Sequence, residues 1–300
     1  AGMSQIAIST AATARTVDTP AGPLALLDTG PDSGAGRPPV LLVPGYTGSK
    51  EDFLPLFDPL AEAGWRVAAM DQRGQYESPG TDDPAGYTVP ALAADLLAVA
   101  ADLGPTVHVV GHSFGGLVAR AAVIGAPGSF GSLVLLDSGP DGLAGTRRER
   151  MEALRPVLAG GGMVAVYAAM EQLAAGDPRW RDGPQELRDF LKRRFLASSP
   201  VGLEAMGDAL VAEPDRVDEL RATAVPVLVC HGEADDAWSP ATQARMAGRL
   251  GAAHVVIGGA VHSPAIENTT ATVRALLDFW SRTSVPPAPR GEVFSRKPHV

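Results

Sequence analysis

The stretch "TVHVVGHSFGG" (residues 106–116) combines an apolar run with a serine placed between glycines. The run 106–111 predicts a buried strand, and the segment that starts at Gly115 predicts a helix directly after it. Ser113 therefore lies in a tight strand–turn–helix connection, where neighbouring backbone comes so close that only glycine fits at positions 111 and 115. A serine in this position projects beyond the end of a sheet, as a nucleophile must.

A serine nucleophile needs further groups around it. The helix after Ser113 directs its positive end at the site and offers the amide of Phe114 to a developing oxyanion. The hydroxyl also needs a histidine base oriented by a carboxylate. Of the six histidines, only His262 is predicted on a loop between the last strand and the last helix. Because loops beyond the carboxyl ends of parallel strands converge on one crevice, His262 is the predicted base.

Two aspartates are candidates for the acid. Asp235, in "HGEADDAWSP", follows the predicted strand 226–231, and Asp137, in "LVLLDSG", ends an earlier strand. Either choice preserves the chain order Ser…Asp…His. A second oxyanion donor is expected from the loop "VPGYTGSKEDF", where Gly45 lets the chain turn and the amide of Tyr46 faces the nucleophile.

Short apolar runs alternate with helix-like segments along most of the chain. Strands this continuously apolar are buried on both faces, so the alternation predicts an α/β three-layer sandwich with a mostly parallel sheet. From about Asp141 to Thr223 only helix patterns occur, far more than a normal crossover of ~10–15 residues needs. We therefore expect a core of residues 1–140 and 224–282, a helical lid of residues 141–223, and a Pro-rich tail, 283–300, outside the packed core.

Composition excludes some classes of partner. The net charge of −9 argues against a nucleic-acid surface, and the single cysteine, Cys230, cannot form an internal disulfide. The stretch "AGMSQIAIST" carries no secretion signal, and no apolar run approaches the ~20 residues of a membrane span. A cytoplasmic location is expected. No metal-ligand cluster or phosphate loop is visible, so no cofactor is expected, and the oligomeric state is left open.

These motifs together resemble the α/β-hydrolase superfamily over residues 20–282, lid included. The matching stretches are "PGYTGS", "DQRGQYES", "GHSFGG", "HGEADD" and "GAVHSP". The resemblance implies a serine hydrolase with Ser113, Asp235 and His262 as its triad, because the acid usually follows the glycine of the "HGExD" turn by three residues. It thereby favours Asp235 over Asp137. One departure is Tyr76, which stands where many relatives have a second glycine and which either contacts substrate or packs.

A serine at this position implies acyl chemistry through an acyl-enzyme. The expected substrate is a small to medium, largely apolar ester, lactone or thioester. A cofactor-free perhydrolase of the haloperoxidase type and a receptor-like binding protein remain as alternatives. In the lid, one helical stripe is expected to pack against the core rather than line the pocket: Met163, Val166, Tyr167, Met170 and Leu173. The basic lid residues are expected on a solvated face, with Arg148 and Glu152 paired.

Overall fold

The structure, a computed structural model, describes residues 11–283, so the predictions about residues 1–10 and 284–300 lie outside the described part. Eight strands form one sheet in the order β1-β2-β4-β3-β5-β6-β7-β8. The first two strands are antiparallel to their neighbours, and all pairs from β4 to β8 are parallel. The strands are β1 (Thr13–Thr19), β2 (Gly22–Asp28), β3 (Val40–Val43), β4 (Val67–Met70), β5 (Val107–His112), β6 (Phe130–Leu136), β7 (Val227–Gly232) and β8 (Ala253–Ile257).

Helices cover both faces of this sheet. They are α1 (Leu54–Glu62), α2 (Val89–Leu103), α3 (Phe114–Gly125), α4 (Gly145–Ala174), α5 (Pro178–Arg181), α6 (Gln185–Ala197), α7 (Pro200–Ala212), α8 (Val217–Ala222), α9 (Pro240–Leu250), α10 (Pro264–Glu267) and α11 (Thr269–Thr283).

The strand residues alternate between two hydrophobic clusters. Leu41 and Val109 pack with α2 and α3 on one face, whereas Leu42 and Val110 pack with α1 and α11 on the other. Each central strand is therefore buried on both sides, which explains its largely apolar sequence. The predicted three-layer sandwich with a mostly parallel sheet is confirmed.

Five helices, α4 to α8, connect β6 to β7. We call residues 145–212 (α4 to α7) the lid. The last helix of the connection, α8, is buried in the same cluster as α2 and α3 through Val217 and Leu220, and α7 also reaches this cluster through Met206 and Leu210. The lid has a small cluster of its own, in which Val166 and Tyr167 of α4 pack against Phe195 of α6.

Helix α4 spans 30 residues and consists of two helical segments that meet at a kink at Gly162, whose φ of 69° is not helical. By length and composition alone it could cross a membrane, contrary to the expectation that no run is long enough. Soluble-protein helices pass the same criterion, so this is weak evidence for a span.

Strand β1 was not predicted. Its sequence, "TARTVDT", has no apolar run, because β1 lies at the edge of the sheet and only Val17 is buried. An edge strand needs one apolar contact with the core rather than an apolar sequence.

Candidate active site

Ser113 lies between β5 and α3 in a strained backbone conformation. Its φ is 55° and its ψ is −119°, a region that non-glycine residues rarely occupy. A Cβ at Gly111 would lie 2.4 Å from the carbonyl oxygen of Gly115, and a Cβ at Gly115 would lie 2.4 Å from that of Val43. Both glycines are therefore required by close backbone, as the sequence predicted: Gly111 by the start of α3 and Gly115 by the end of β3. This tight turn places Ser113 beyond the end of β5, where it lines a cavity.

The structure brings His262 and Asp235 together. Nδ1 of His262 lies 3.0 Å from Oδ1 of Asp235. The carboxylate also accepts hydrogen bonds from the backbone amide of Ala237 at 3.0 Å and from Nε2 of Gln243 at 2.7 Å. Burial alone would raise the pKa of Asp235, but the hydrogen bond and charge of His262 outweigh burial and lower it to about 2. Asp235 is thus a carboxylate aimed at His262, whose Nδ1–H it accepts.

Ser113 and His262 line the same cavity. Within residues 11–283, Oγ of Ser113 forms no hydrogen bond, a common finding in such sites before substrate binds.

Asp137, the other candidate acid, lies behind Asp235. It is completely buried, its Oδ1 accepts a hydrogen bond from the Gly232 amide at 3.1 Å, and its Oδ2 has no donor among the described residues. Burial, and secondarily the charge of Asp235, raise the pKa of Asp137 to about 10. Asp137 is therefore a neutral acid beside the charged Asp235. The imidazole of His262 hydrogen-bonds to Asp235 and not to Asp137.

Two backbone amides beside Ser113 are the predicted oxyanion donors. Phe114 is the first residue of α3, and the first amides of a helix have no partner inside it. Tyr46 follows Gly45, whose backbone is so near Ser113 that an added Cβ would lie 3.1 Å from the Cβ of that serine. Among the described residues, the amide of Tyr46 has no hydrogen-bond partner. Its phenol points away and donates to the carbonyl of Leu203 in the lid at 2.9 Å.

Sequence reasoning assigned no role to His112. Nε2 of His112 lies 2.6 Å from the carbonyl oxygen of His262, and the two rings are 5.0 Å apart. Burial lowers the pKa of His112 to about 4, so the ring is neutral and carries its proton on Nε2. His112 therefore holds the loop that carries His262. No periodic or motif signal could have shown this contact, since 150 residues separate the partners.

The cavity above Ser113 has a volume of about 1080 Å³, enough for a ligand of moderate size. Of the predicted lid stripe, Val166, Met170 and Leu173 line this cavity, so the preference for lid-to-core packing was wrong for these residues. Tyr167, also in the stripe, packs against Phe195 within the lid. Several basic lid side chains also line the cavity: Arg147, Arg150, Arg155 and Arg194. The predicted exposed pair of Arg148 with Glu152 is present at 3.1 Å.

Tyr76 does not line the cavity. Its ring packs edge-on against Phe190 of α6 at 5.6 Å, and Nζ of Lys50 lies 4.9 Å from the ring centre. Of the two roles left open for this residue, the structure gives it the packing role.

Two groups of side chains are close enough to share a cation among the described residues. One is Asp137, Asp235 and His262, of which Asp235 and His262 are hydrogen-bonded to each other as described. The other is formed by Glu51, Asp71 and Glu77, and it surrounds Nζ of Lys50, which lies 2.7 Å from an oxygen of each. The ammonium group supplies the positive charge that the second group needs.

Comparison with known proteins agrees with this geometry. A family model described as "Alpha/beta hydrolase family" matches residues 40–275. The "Putative carbamate hydrolase RutD" of Variovorax paradoxus is 33% identical over 256 residues, which cover 83% of this chain and 94% of that protein. A non-heme haloperoxidase of Rhodococcus erythropolis is 31% identical over 217 residues, covering 68% of this chain and 77% of that protein.

Among solved structures, a thermophilic esterase from Thermogutta terrifontis matches with a TM-score of 0.73 at 24% identity. The match covers 91% of this chain and 99% of that one. At this identity it shows a shared fold and nothing about function. The parallel sheet, the glycine-flanked serine at its edge and the family match over residues 40–275 lead to one conclusion: the chain belongs to the α/β-hydrolase family.

Proposed function

We propose that this protein is a serine hydrolase in which Ser113, His262 and Asp235 form the catalytic triad. The observation that carries the proposal is the 3.0 Å hydrogen bond between Nδ1 of His262 and Asp235, on the wall of the cavity that Ser113 also lines. With Nδ1–H donated to the carboxylate, Nε2 of the neutral ring is free to accept a proton. That is the state a general base for serine requires.

The reaction proceeds in two halves. In the first, Oγ of Ser113 attacks the carbonyl carbon of the substrate while its proton moves to Nε2 of His262. The amides of Tyr46 and Phe114 hold the negative oxygen of the tetrahedral intermediate, and the imidazolium then protonates the leaving group. In the second half, water attacks the acyl-enzyme with His262 again acting as base. The products are an acid and an alcohol or thiol.

The substrate class follows from the nucleophile and the cavity. A serine nucleophile favours esters, lactones and thioesters, whose acyl-enzymes water can cleave. The lid contributes an apolar wall to the cavity: Leu154, Leu158, Val166 and Met170. We therefore propose a small to medium, largely apolar acyl group. The cytoplasmic location expected from the sequence stays a prediction.

The test is a panel of p-nitrophenyl esters from acetate to palmitate beside a lactone and an acyl-CoA. Turnover is expected for the short or medium esters, and Ser113→Ala should lower kcat by at least ~10³. A fluorophosphonate probe should label Ser113. Ser263→Ala, which removes another serine from the cavity wall, should still be labelled. Neither turnover nor labelling by folded protein would refute the proposal, and labelling that survives Ser113→Ala would refute the choice of nucleophile.

Perhydrolysis is a second candidate, favoured by the 31% identity to a non-heme haloperoxidase. Hydrogen peroxide would replace water as the acceptor of the acyl group and yield a peracid. Bromination of monochlorodimedone in acetate, peroxide and bromide measures this activity, because the peracid oxidises bromide to the brominating species. It should disappear in Ser113→Ala, because both reactions share one acyl-enzyme.

A further inference from the structure

Two buried glutamines hold the loop that follows β3. Gln72 and Gln75 lie in the loop after β4, and each is only 1% exposed. Nε2 of Gln75 donates to the carbonyl of Gly45 at 2.8 Å, and Nε2 of Gln72 donates to the carbonyl of Pro44 at 2.9 Å. Buried side-chain amides aimed at consecutive carbonyls fix the orientation of both peptide units.

The contact made by Gln75 bears directly on the oxyanion site. The carbonyl of Gly45 and the N–H of Tyr46 are the two ends of one planar peptide unit. Fixing the carbonyl therefore fixes the direction of the N–H. The same carbonyl also accepts from the amide of Gly48 at 3.0 Å. A carbonyl that accepts two hydrogen bonds polarises its peptide, which makes the N–H at the other end a stronger donor.

The orientation of Gln75 is itself determined. Its Oε1 accepts a hydrogen bond from the backbone amide of Gln72 at 3.0 Å, so its Nε2 must face Gly45. A flipped amide would place a donor against the Gln72 amide and an acceptor against the carbonyl.

We infer that Gln75 is a positioning residue for the oxyanion site, acting through the Gly45–Tyr46 peptide unit. The inference rests on the proposed function, in which the Tyr46 amide stabilises the tetrahedral intermediate. Gln72 provides a matched comparison, because the carbonyl it holds belongs to the peptide unit of the Gly45 amide and not to that of the Tyr46 amide. Loss of either side chain removes one buried amide-to-carbonyl hydrogen bond from the same loop, and loss of Gln75 also removes the bond that its Oε1 accepts from the Gln72 amide.

The experiment compares Gln75→Leu with Gln72→Leu. Removing an oxyanion donor outright costs ~10²–10³ in kcat, so freeing its peptide should cost ~10–100-fold. For Gln75→Leu we expect that loss in kcat, a KM within about threefold of wild type, and a parallel loss of affinity for a trifluoromethyl ketone, which binds as a tetrahedral adduct. Gln72→Leu should also lower Tm, because it removes the bond to Pro44, but should change kcat less than about threefold.

Gln75→Glu adds a readout that a purely structural role would not move. A buried, protonated glutamic acid can donate to the Gly45 carbonyl and accept from Gln72, whereas the carboxylate cannot donate. The activity of Gln75→Glu relative to wild type should therefore fall as pH rises, while the ratio for Gln75→Leu stays constant. If Gln75→Leu fails to fold, Gln75→Glu carries the test alone.

The outcomes separate this inference from the proposed function. Suppose that wild type is active and labelled. The role of Gln75 alone is then overturned if Gln75→Leu and Gln72→Leu lower kcat equally, or if the activity of Gln75→Glu relative to wild type does not change with pH. A wild type without turnover and labelling overturns the proposed function and this role with it.

Discussion

Replacing Asp235 and Asp137 by asparagine, one at a time, tests the acid of the proposed triad. Asparagine has the shape of aspartate but no charge. Asp235 holds a negative charge beside the ring of His262, and its lowered pKa, from 3.8 to about 2, corresponds to about 2 kcal/mol in favour of the carboxylate. That figure is net of the cost of burial, so the attraction between carboxylate and imidazolium is larger. Losing about 2 kcal/mol lowers kcat about 30-fold.

The full effect of Asp235→Asn should lie between that lower bound and the ~10⁴-fold loss known for the equivalent change in a related triad. Asp137→Asn should cost less than about tenfold. Asp137 is already neutral, with its pKa raised to about 10 chiefly by burial, and asparagine can still accept from Gly232 and donate toward Asp235.

The assay is the initial rate on the best p-nitrophenyl ester, with circular dichroism and Tm as controls for folding. An inactive Asp137→Asn beside an active Asp235→Asn would show that the acid lies at the end of β6, and the reasoning from the 3.0 Å contact would be wrong.

Three further predictions concern stability. The raised pKa of Asp137 means that the folded protein holds a proton that the unfolded chain releases above pH ~4. Wild type should therefore lose stability relative to Asp137→Asn from about pH 5 to 9. Urea unfolding at several pH values measures this, and a constant difference between the two proteins would contradict it. Gly115→Ala should destabilise by at least ~1–3 kcal/mol, because its Cβ would lie 2.4 Å from the carbonyl of Val43; a Tm equal to wild type would refute this. Arg194→Met should cost ~1–3 kcal/mol in urea unfolding by stripping Asp52 and Ser49 of a buried donor, and an unchanged midpoint would show that the lid does not depend on this contact.

The core of the fold and the candidate site were predictable because their signals are local. An apolar run followed by glycine, serine and glycine predicts the turn at Ser113 without any knowledge of distant residues. His262 followed by elimination, because only one histidine stood on a loop after a strand. The choice between Asp235 and Asp137 was different. The residues left it open, and only the resemblance to a family favoured Asp235, whose contact with His262 the structure then supplied.

What could not be predicted consists of contacts between segments far apart in the chain. Strand β1 is held by pairing with β2 rather than by its own apolar residues, so no pattern in the sequence predicts it. The lid stripe was misassigned for a related reason. A helical period shows that one face is apolar, but it does not say whether that face meets a protein surface or a cavity, and Val166 and Met170 meet a cavity.

The loop from Pro44 to Asp52 shows how such long-range contacts bear on function. At one end the side chain of Gln75 holds the carbonyl of Gly45, and at the other the guanidinium of Arg194 in α6 donates to Ser49 at 3.0 Å and to Asp52 at 2.6 Å. One short loop thus carries the proposed oxyanion amide and anchors the lid. A change in lid position that pulls on Asp52 acts on the same loop as the Tyr46 amide. If the proposed function holds, we therefore expect Arg194→Met to change kcat as well as stability.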